Sequence, residues 1–175
     1  MIDLQKGIVG SPTVHPAGEI VGRVARIASA FRERGLPIVL VNVAGGAPGR
    51  TDAQPPGPPR PADWAEFVPE LKRQADDVLV TKQRWGAFHG TSLDADLRRR
   101  DVTQIVLAGI STSIGVESTA RSAFDLGYNV ALVVDAMTDR NADAHRNSVE
   151  RIFPRLGEIV TTEALLALLS DPPSR

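Results

Sequence analysis

Apolar positions along the chain follow two rhythms. Short runs at Pro37–Val43 (PIVLVNV), Val78–Thr81, Ile105–Ala108, Val130–Val134 and Ile159–Val160 are nearly continuous. Such runs, bounded by turn residues, read as strands buried on both faces. Between them apolar residues recur every three or four positions. Ile20, Val24, Ile27, Ala28 and Phe31 do so within a helix predicted over Gly18–Arg34, stopped by Gly35. Val116, Ala120, Ala123 and Phe124 do so after the Ile105–Ala108 strand. Further helices are predicted over Trp64–Leu71, Leu93–Arg100 (with Thr91 or Ser92 as cap), Asn141–Phe153 and Glu163–Leu169. Strands alternating with helices predict an α/β fold: a mostly parallel sheet with helices on both faces, in a single domain over residues 1–175.

Two segments stand outside this rhythm. Met1-Ile2-Asp3 reads as the tail of a first strand, yet only two apolar residues precede Asp3. A buried strand commonly has about five, so either residues precede Met1 in the natural chain or this strand is a stub. Residues 44–61 carry Gly45, Gly46, Pro48, Pro55, Pro56, Pro58 and Pro59 and little that is apolar. That composition predicts an irregular loop: a lid, an oligomer arm or a surface loop. The terminal DPPSR is expected to fray.

Composition narrows the function classes. The chain has 175 residues, 20 basic and 21 acidic, for a formal charge of -1, and it is 42% hydrophobic. Neither nucleic acid nor an anionic membrane is expected as a partner. No apolar run is long enough to span a bilayer, and no signal-peptide pattern is visible, so a cytoplasmic protein is expected. There is no cysteine, which excludes thiolate chemistry.

Three strand ends carry polar residues that a parallel sheet would gather at its carboxyl edge, where ligands bind. Asp3 ends the first strand, Lys82 ends the Val78–Thr81 strand, and the GISTSIG turn follows Ile105–Ala108. An acid, a base and a helix N-terminus would then share one cleft. The alternatives are a turn cap for Asp3, a solvated lysine for Lys82, and turn or cap hydrogen bonding for Ser111, Thr112 and Ser113. Glu117 and Arg121, four residues apart, read as a surface ion pair.

The pieces DLQKG, TKQRWGAFHGTSLDADLR and GISTSIGVESTARSAFDLGYNVALVVDAMTD occur here in the order found in the isochorismatase-like hydrolase superfamily. DAHRNSVERIFPRLGEIVTT likewise resembles that superfamily's late helix and last strand. The chain is identified as a member on this resemblance, which covers nearly all of it outside the proline-rich loop. The resemblance implies a three-layer α/β/α, Rossmann-like fold with a six-stranded sheet and a homo-oligomer, dimer or tetramer. It also implies an Asp-Lys-Cys triad, with Asp3 and Lys82 on two positions and Gly115 on the cysteine's. Amide hydrolysis through a thioester is therefore excluded. Members that cleave isochorismate and related enol ethers also carry glycine there, and an aspartate is their proposed acid.

On that reading the substrate is a small carboxylated molecule and Asp3 is the proton donor. Lys82 orients Asp3 or a substrate carboxylate, and Gly115 makes room for the ligand. Ser111, Ile114, Trp85, Phe88 and Asn42 are the expected substrate-binding residues, with core packing the alternative for Phe88. Lys82 beside Asp3 would lower the acid's pKa, and burial would have to offset that. The superfamily also implies a non-proline cis peptide at Ile110–Ser111. No cofactor and no metal are expected. His15, His89 and His145 lie far apart in sequence and outside the region where related metal-binding enzymes place ligands. His89 is expected at the surface or facing the cleft, and His145 in a structural role. The alternative function is a catalytically silent ligand-binding or scaffold protein.

Overall fold

The computed structural model describes residues 1–52 and 59–170. Residues 53–58 of the proline-rich loop and the terminal DPPSR, which was expected to fray, lie outside the described residues. The strands are β1 (Val39–Val43), β2 (Val78–Lys82), β3 (Gln104–Ile110), β4 (Asn129–Thr138) and β5 (Glu158–Val160). β1 pairs with β2, and β3–β4–β5 form a second group, all parallel. The six-stranded sheet expected above is thus five strands. In place of a sixth, Ile2 alone bridges Val41 of β1 and Gly109 of β3. The order is β2–β1–Ile2–β3–β4–β5.

Two apolar layers cover this sheet. On one face α2 (Ala17–Glu33) and α6 (Thr162–Ser170) bring Ile20, Val24, Ile27 and Leu165 against Leu40, Ala108 and Val133. On the other, α3 (Leu93–Arg98) and α4 (Glu117–Asp125) bring Leu93, Leu97, Ala120 and Ala123 against Val41, Val80, Leu107 and Leu132. This is the three-layer α/β/α arrangement that continuous apolar strands require, since neither sheet face can meet water.

Departures from the sequence reading have local causes. Trp64–Leu71 is not one helix. Its backbone is used instead to pair with the chain start: Lys6 N–H donates to Glu66 O, Val68 N–H to Leu4 O, and only Pro69–Leu71 closes a 3₁₀ turn. The chain start itself forms a short helix, α1 (Lys6–Val9), which the pattern did not signal. The late helix begins at α5 (Ala142–Asn147), capped by Asn141. It widens to a π-helical turn over Ser148–Ile152 and ends in a 3₁₀ turn at Pro154. Of the two predicted caps of α3, Ser92 donates to Asp96 instead, whereas Thr91 Oγ1 accepts from Leu93 N–H, at the first residue of the helix, at 3.3 Å. β4 runs four residues past its predicted end, because a register shift against β3 lets it continue to Thr138.

Candidate active site

Asp3 follows the one residue that joins the two halves of the sheet. Gly109 makes that join possible. With φ at 131°, it lies so close to the first strand that a Cβ would fall 2.1 Å from Ile2 O. Ile2 N–H donates to Ala108 O, Ile110 N–H to Ile2 O, and Asp3 N–H to Val41 O. Asp3 then turns into the left-handed region at φ 53°. Few residues other than glycine do so, and Asp is among those that tolerate it.

Lys82 ends β2 and is fully buried. Its Nζ lies 2.7 Å from Asp3 Oδ2 and donates a second hydrogen bond to Arg84 O at 3.3 Å. The other carboxylate oxygen, Asp3 Oδ1, is buried without a hydrogen-bond partner among the described residues. Desolvation raises the Asp3 pKa, and it outweighs the attraction of Lys82, which acts the other way. In the tension between burial and the lysine partner, burial therefore sets the direction of the shift.

The third side is the turn after β3, a π-helical turn over Thr112–Val116 that leads into α4. Its Gly115 faces the pair. A Cβ built there would stand 2.9 Å from Ile2 Cγ2, 3.1 Å from Asp3 Oδ2 and 3.7 Å from Lys82 Nζ. The space left by the absent side chain is thus filled by Asp3 and Ile2. Three N–H groups of the turn point at protein oxygens: Ser113 to Asp139 Oδ2, and Ile114 and Val116 to Ser111 O. The Ile110–Ser111 peptide is cis, as the superfamily resemblance implied.

The sequence-predicted residues fall into two groups. Asp3, Lys82 and Gly115 converge on one point, with Ser111 and the partly exposed Ile114 in the adjoining turn. The others are placed differently. Asn42 donates its amide to Ala65 O at 2.8 Å and so fastens the segment after the proline-rich loop. Phe88 stacks on Tyr128, with centroids 5.8 Å apart, and packs against the core, which matches the alternative held open for it. Trp85 is 66% exposed and forms no buried wall. His89 is exposed. Glu117 is more than one half of a surface pair, since it also accepts from Ser148 Oγ at 2.6 Å.

Sequence reasoning missed the groups that brace the turn. Asp139 accepts from both Ser113 N–H and Ser113 Oγ, while its other oxygen accepts from Arg140 and Asn141 N–H. Ending the fourth helix–strand unit at Val134 hid Asp139, which lies at the sheet's carboxyl edge just beyond β4. Thr112, fully buried, pairs with His145 Nδ1 at 2.9 Å. His145 meets His15 edge to face at 5.1 Å, although the two are distant in sequence. Burial, with His15 next to it, lowers the His145 pKa, so a neutral ring is favoured. Among the described residues, no three His, Cys, Asp or Glu are placed to hold a metal ion. No helix there is long and apolar enough to cross a membrane.

Comparison with known proteins shows the family and the fold. Residues 1–164 match the Isochorismatase domain family. The isochorismatase family protein YwoC of Bacillus subtilis (strain 168) is 47% identical over 173 residues, covering 95% of this chain and 90% of YwoC. YecD of Escherichia coli O157:H7, of the same family, is 40% identical over 97% of this chain and 94% of its own. The structure of an isochorismatase family protein from Burkholderia thailandensis superposes with a TM-score of 0.92 at 46% identity. That superposition covers 97% of this chain and 93% of the other.

Proposed function

The chain belongs to the isochorismatase family, and from that premise we propose that it is a hydrolase of a small carboxylated enol ether or related bond, working by acid chemistry centred on Asp3. One observation carries the reading: a buried carboxyl with raised pKa whose Oδ1 has no partner among the described residues, next to a lysine that holds Oδ2. A carboxyl that holds a proton more tightly than usual is suited to deliver one, and Lys82 on Oδ2 leaves Oδ1 as the oxygen that does so. No thiol is present to attack a carbonyl.

The proposed steps conserve atoms and charge. Asp3 Oδ1 transfers its proton to the terminal carbon of the vinyl group. The electron pair of the double bond forms the new C–H bond, and the ether oxygen stabilises the cation as an oxocarbenium. Water adds to the cationic carbon, and its extra proton returns to Asp3. The resulting hemiketal breaks its C–O bond to give a keto acid and an alcohol. Lys82 keeps its bond to Oδ2 throughout, which stabilises the carboxylate left after proton transfer. Its charge also favours a substrate carboxylate nearby. Ser111 and Ile114 border the site as part of the turn, and Gly115 lets Asp3 approach the turn.

Incubation with isochorismate and a panel of enol ethers, followed by mass spectrometry, tests this. Turnover by the wild-type chain and its loss by about a thousandfold or more in Asp3→Asn is expected, in keeping with loss of a general acid. Full turnover in Asp3→Asn would refute the acid assignment. Tight binding without product would favour a silent ligand-binding protein.

A further inference from the structure

A carboxylated substrate brings a negative charge to the site, and Lys82 is not placed to meet it directly. Lys82 is fully buried, and its Nζ donates to Asp3 Oδ2 and to Arg84 O. Lys6, close to Asp3 in the chain, is shared between Asp63 and Glu66. Arg84 differs from both. It is half-buried, and it forms no ion pair among the described residues. Residues 53–58 (AQPPGP) contain no acid that could supply one.

The strand ends fix where the Arg84 guanidinium lies. Ala44 N–H donates to Lys82 O, which carries the pairing of β1 with β2 one step past Val43. Gly46 then comes within reach. Arg84 Nη1 donates to Gly46 O at 3.3 Å and to Gln83 O at 3.0 Å. Both hydrogens of Nη1 are thereby used, on main-chain carbonyls that carry no net charge. The edge formed by Nε–H and Nη2–H has no acceptor among the described residues. Those two N–H bonds are parallel and match the two oxygens of a carboxylate. The main chain of the same residue touches the Asp3–Lys82 pair, because Arg84 O accepts from Lys82 Nζ. Arg140 also lacks an acid partner among the described residues. It is exposed, however, its side chain donates to Ser11 Oγ, and it follows Asp139, whose carboxylate is already on the turn.

Resting on the acid chemistry assigned to Asp3, we propose that Arg84 determines specificity: its Nε and Nη2 edge binds the carboxylate of a 2-alkoxypropenoate and so sets the vinyl carbon against Asp3 Oδ1. In such a molecule the carboxylate is attached to the carbon next to the one that is protonated, so both groups must be met at one place. The carboxylate keeps its charge through proton transfer. Its contact with Arg84 is thus made equally in the ground and transition states, and acts on KM more than on kcat. Lysine at this position would keep the charge and lose the fork.

Two measurements test this. In steady-state kinetics with isochorismate, Arg84→Gln is expected to raise KM by about tenfold or more, the loss of a charge-assisted pair of hydrogen bonds, with kcat within about threefold of wild type. Arg84→Lys should fall between the two. The second measurement needs no turnover. The Arg84 Nε–H resonance, assigned by its loss in Arg84→Gln, is followed in proton–nitrogen correlation spectra during titration with pyruvate, the keto acid that a 2-alkoxypropenoate releases. A saturable shift is expected with pyruvate and none with methyl pyruvate. No shift with pyruvate, or the same shift with the ester, would overturn the proposal. So would an unchanged KM in Arg84→Gln, a fall in kcat alone, or a rise in KM in Arg140→Gln in its place; each leaves the role of Asp3 standing. A pyruvate-specific shift in a protein that turns over no enol ether would support the carboxylate site and refute the acid chemistry instead.

Discussion

Replacing Lys82 with methionine removes one charge from a pair that is almost wholly out of water, with side-chain exposures of 1% for Lys82 and 7% for Asp3. Methionine keeps the length of the side chain, so the change is electrostatic more than steric. Among the described residues, Asp3 would lose its only hydrogen-bond partner at Oδ2, and Oδ1 has none. Breaking a buried ion pair from one side costs about 3–5 kcal/mol. At about 2–4 °C per kcal/mol for a chain of this size, Tm should fall by roughly 6–20 °C at neutral pH. The penalty should shrink in acid. Asp3 already has a raised pKa, and without Lys82 it rises further, so the folded state binds more protons than the unfolded one above the ordinary carboxylate range. Stability then falls as pH rises through that window and is regained below it. Removing both charges in Asp3→Asn/Lys82→Met should recover most of the loss. Urea denaturation of the four proteins from pH 4 to 8 measures the cycle. A single mutant within about 1 kcal/mol of wild type, or a double mutant no more stable than Lys82→Met, would refute the buried-pair account.

Gly115→Ala puts a methyl 3.1 Å from Asp3 Oδ2 and 2.9 Å from Ile2 Cγ2; a loss of about 1–3 kcal/mol and of turnover is expected, read by denaturation and by the enol-ether assay. The Met1 amine has a folded pKa of about 6 against 8.0 in a free chain. The unfolded state therefore binds more protons between those values, and stability should rise from pH 6 to pH 8. His145, also lowered, contributes with the same sign near the bottom of that range. Denaturation midpoints that stay flat over that interval would count against the buried amine. Tyr128, the single tyrosine of the chain, donates to Asp94 Oδ1 at 2.7 Å and is pushed up to about 12. Phenolate absorbance therefore reads one group, and a midpoint near the ordinary value of about 10 would refute its burial against Asp94.

The sheet was legible because its strands are buried on both faces, and a run such as Val130–Val134 admits few other readings. The meeting of Asp3, Lys82 and the GISTSIG turn was legible for a topological reason: parallel strands place their carboxyl ends on one edge. What the pattern did not carry was anything decided by pairing across the chain. Trp64–Leu71 has helical spacing, but Gln5 and Leu4 claim its backbone and its neighbours. Phe88 sits near Lys82 in sequence, yet Tyr128 draws it into the core. Asp139 and His145 brace the active turn from β4 and α5, through contacts between residues far apart along the chain. The role of Gly115 was visible as an absent thiol, but not the fact that Asp3 stands in the space.

That last point bears on why acid chemistry suits this site. A nucleophile at position 115 would need its Cβ where the Asp3 carboxylate now approaches to 3.1 Å. It would also need turn N–H groups aimed at an oxyanion, whereas those of Ser113, Ile114 and Val116 are directed to Asp139 and Ser111. Both features instead serve the aspartate. The glycine lets the carboxyl pack tightly against the turn, which strips water from it and raises its pKa. Lys82 keeps one oxygen occupied, so the other is the one left to take up and deliver a proton. The same burial that would silence a nucleophile by denying it room thus produces a carboxyl able to hold and deliver a proton. A thiol restored by Gly115→Cys would displace that carboxyl before it could use it, and should leave the protein without either chemistry.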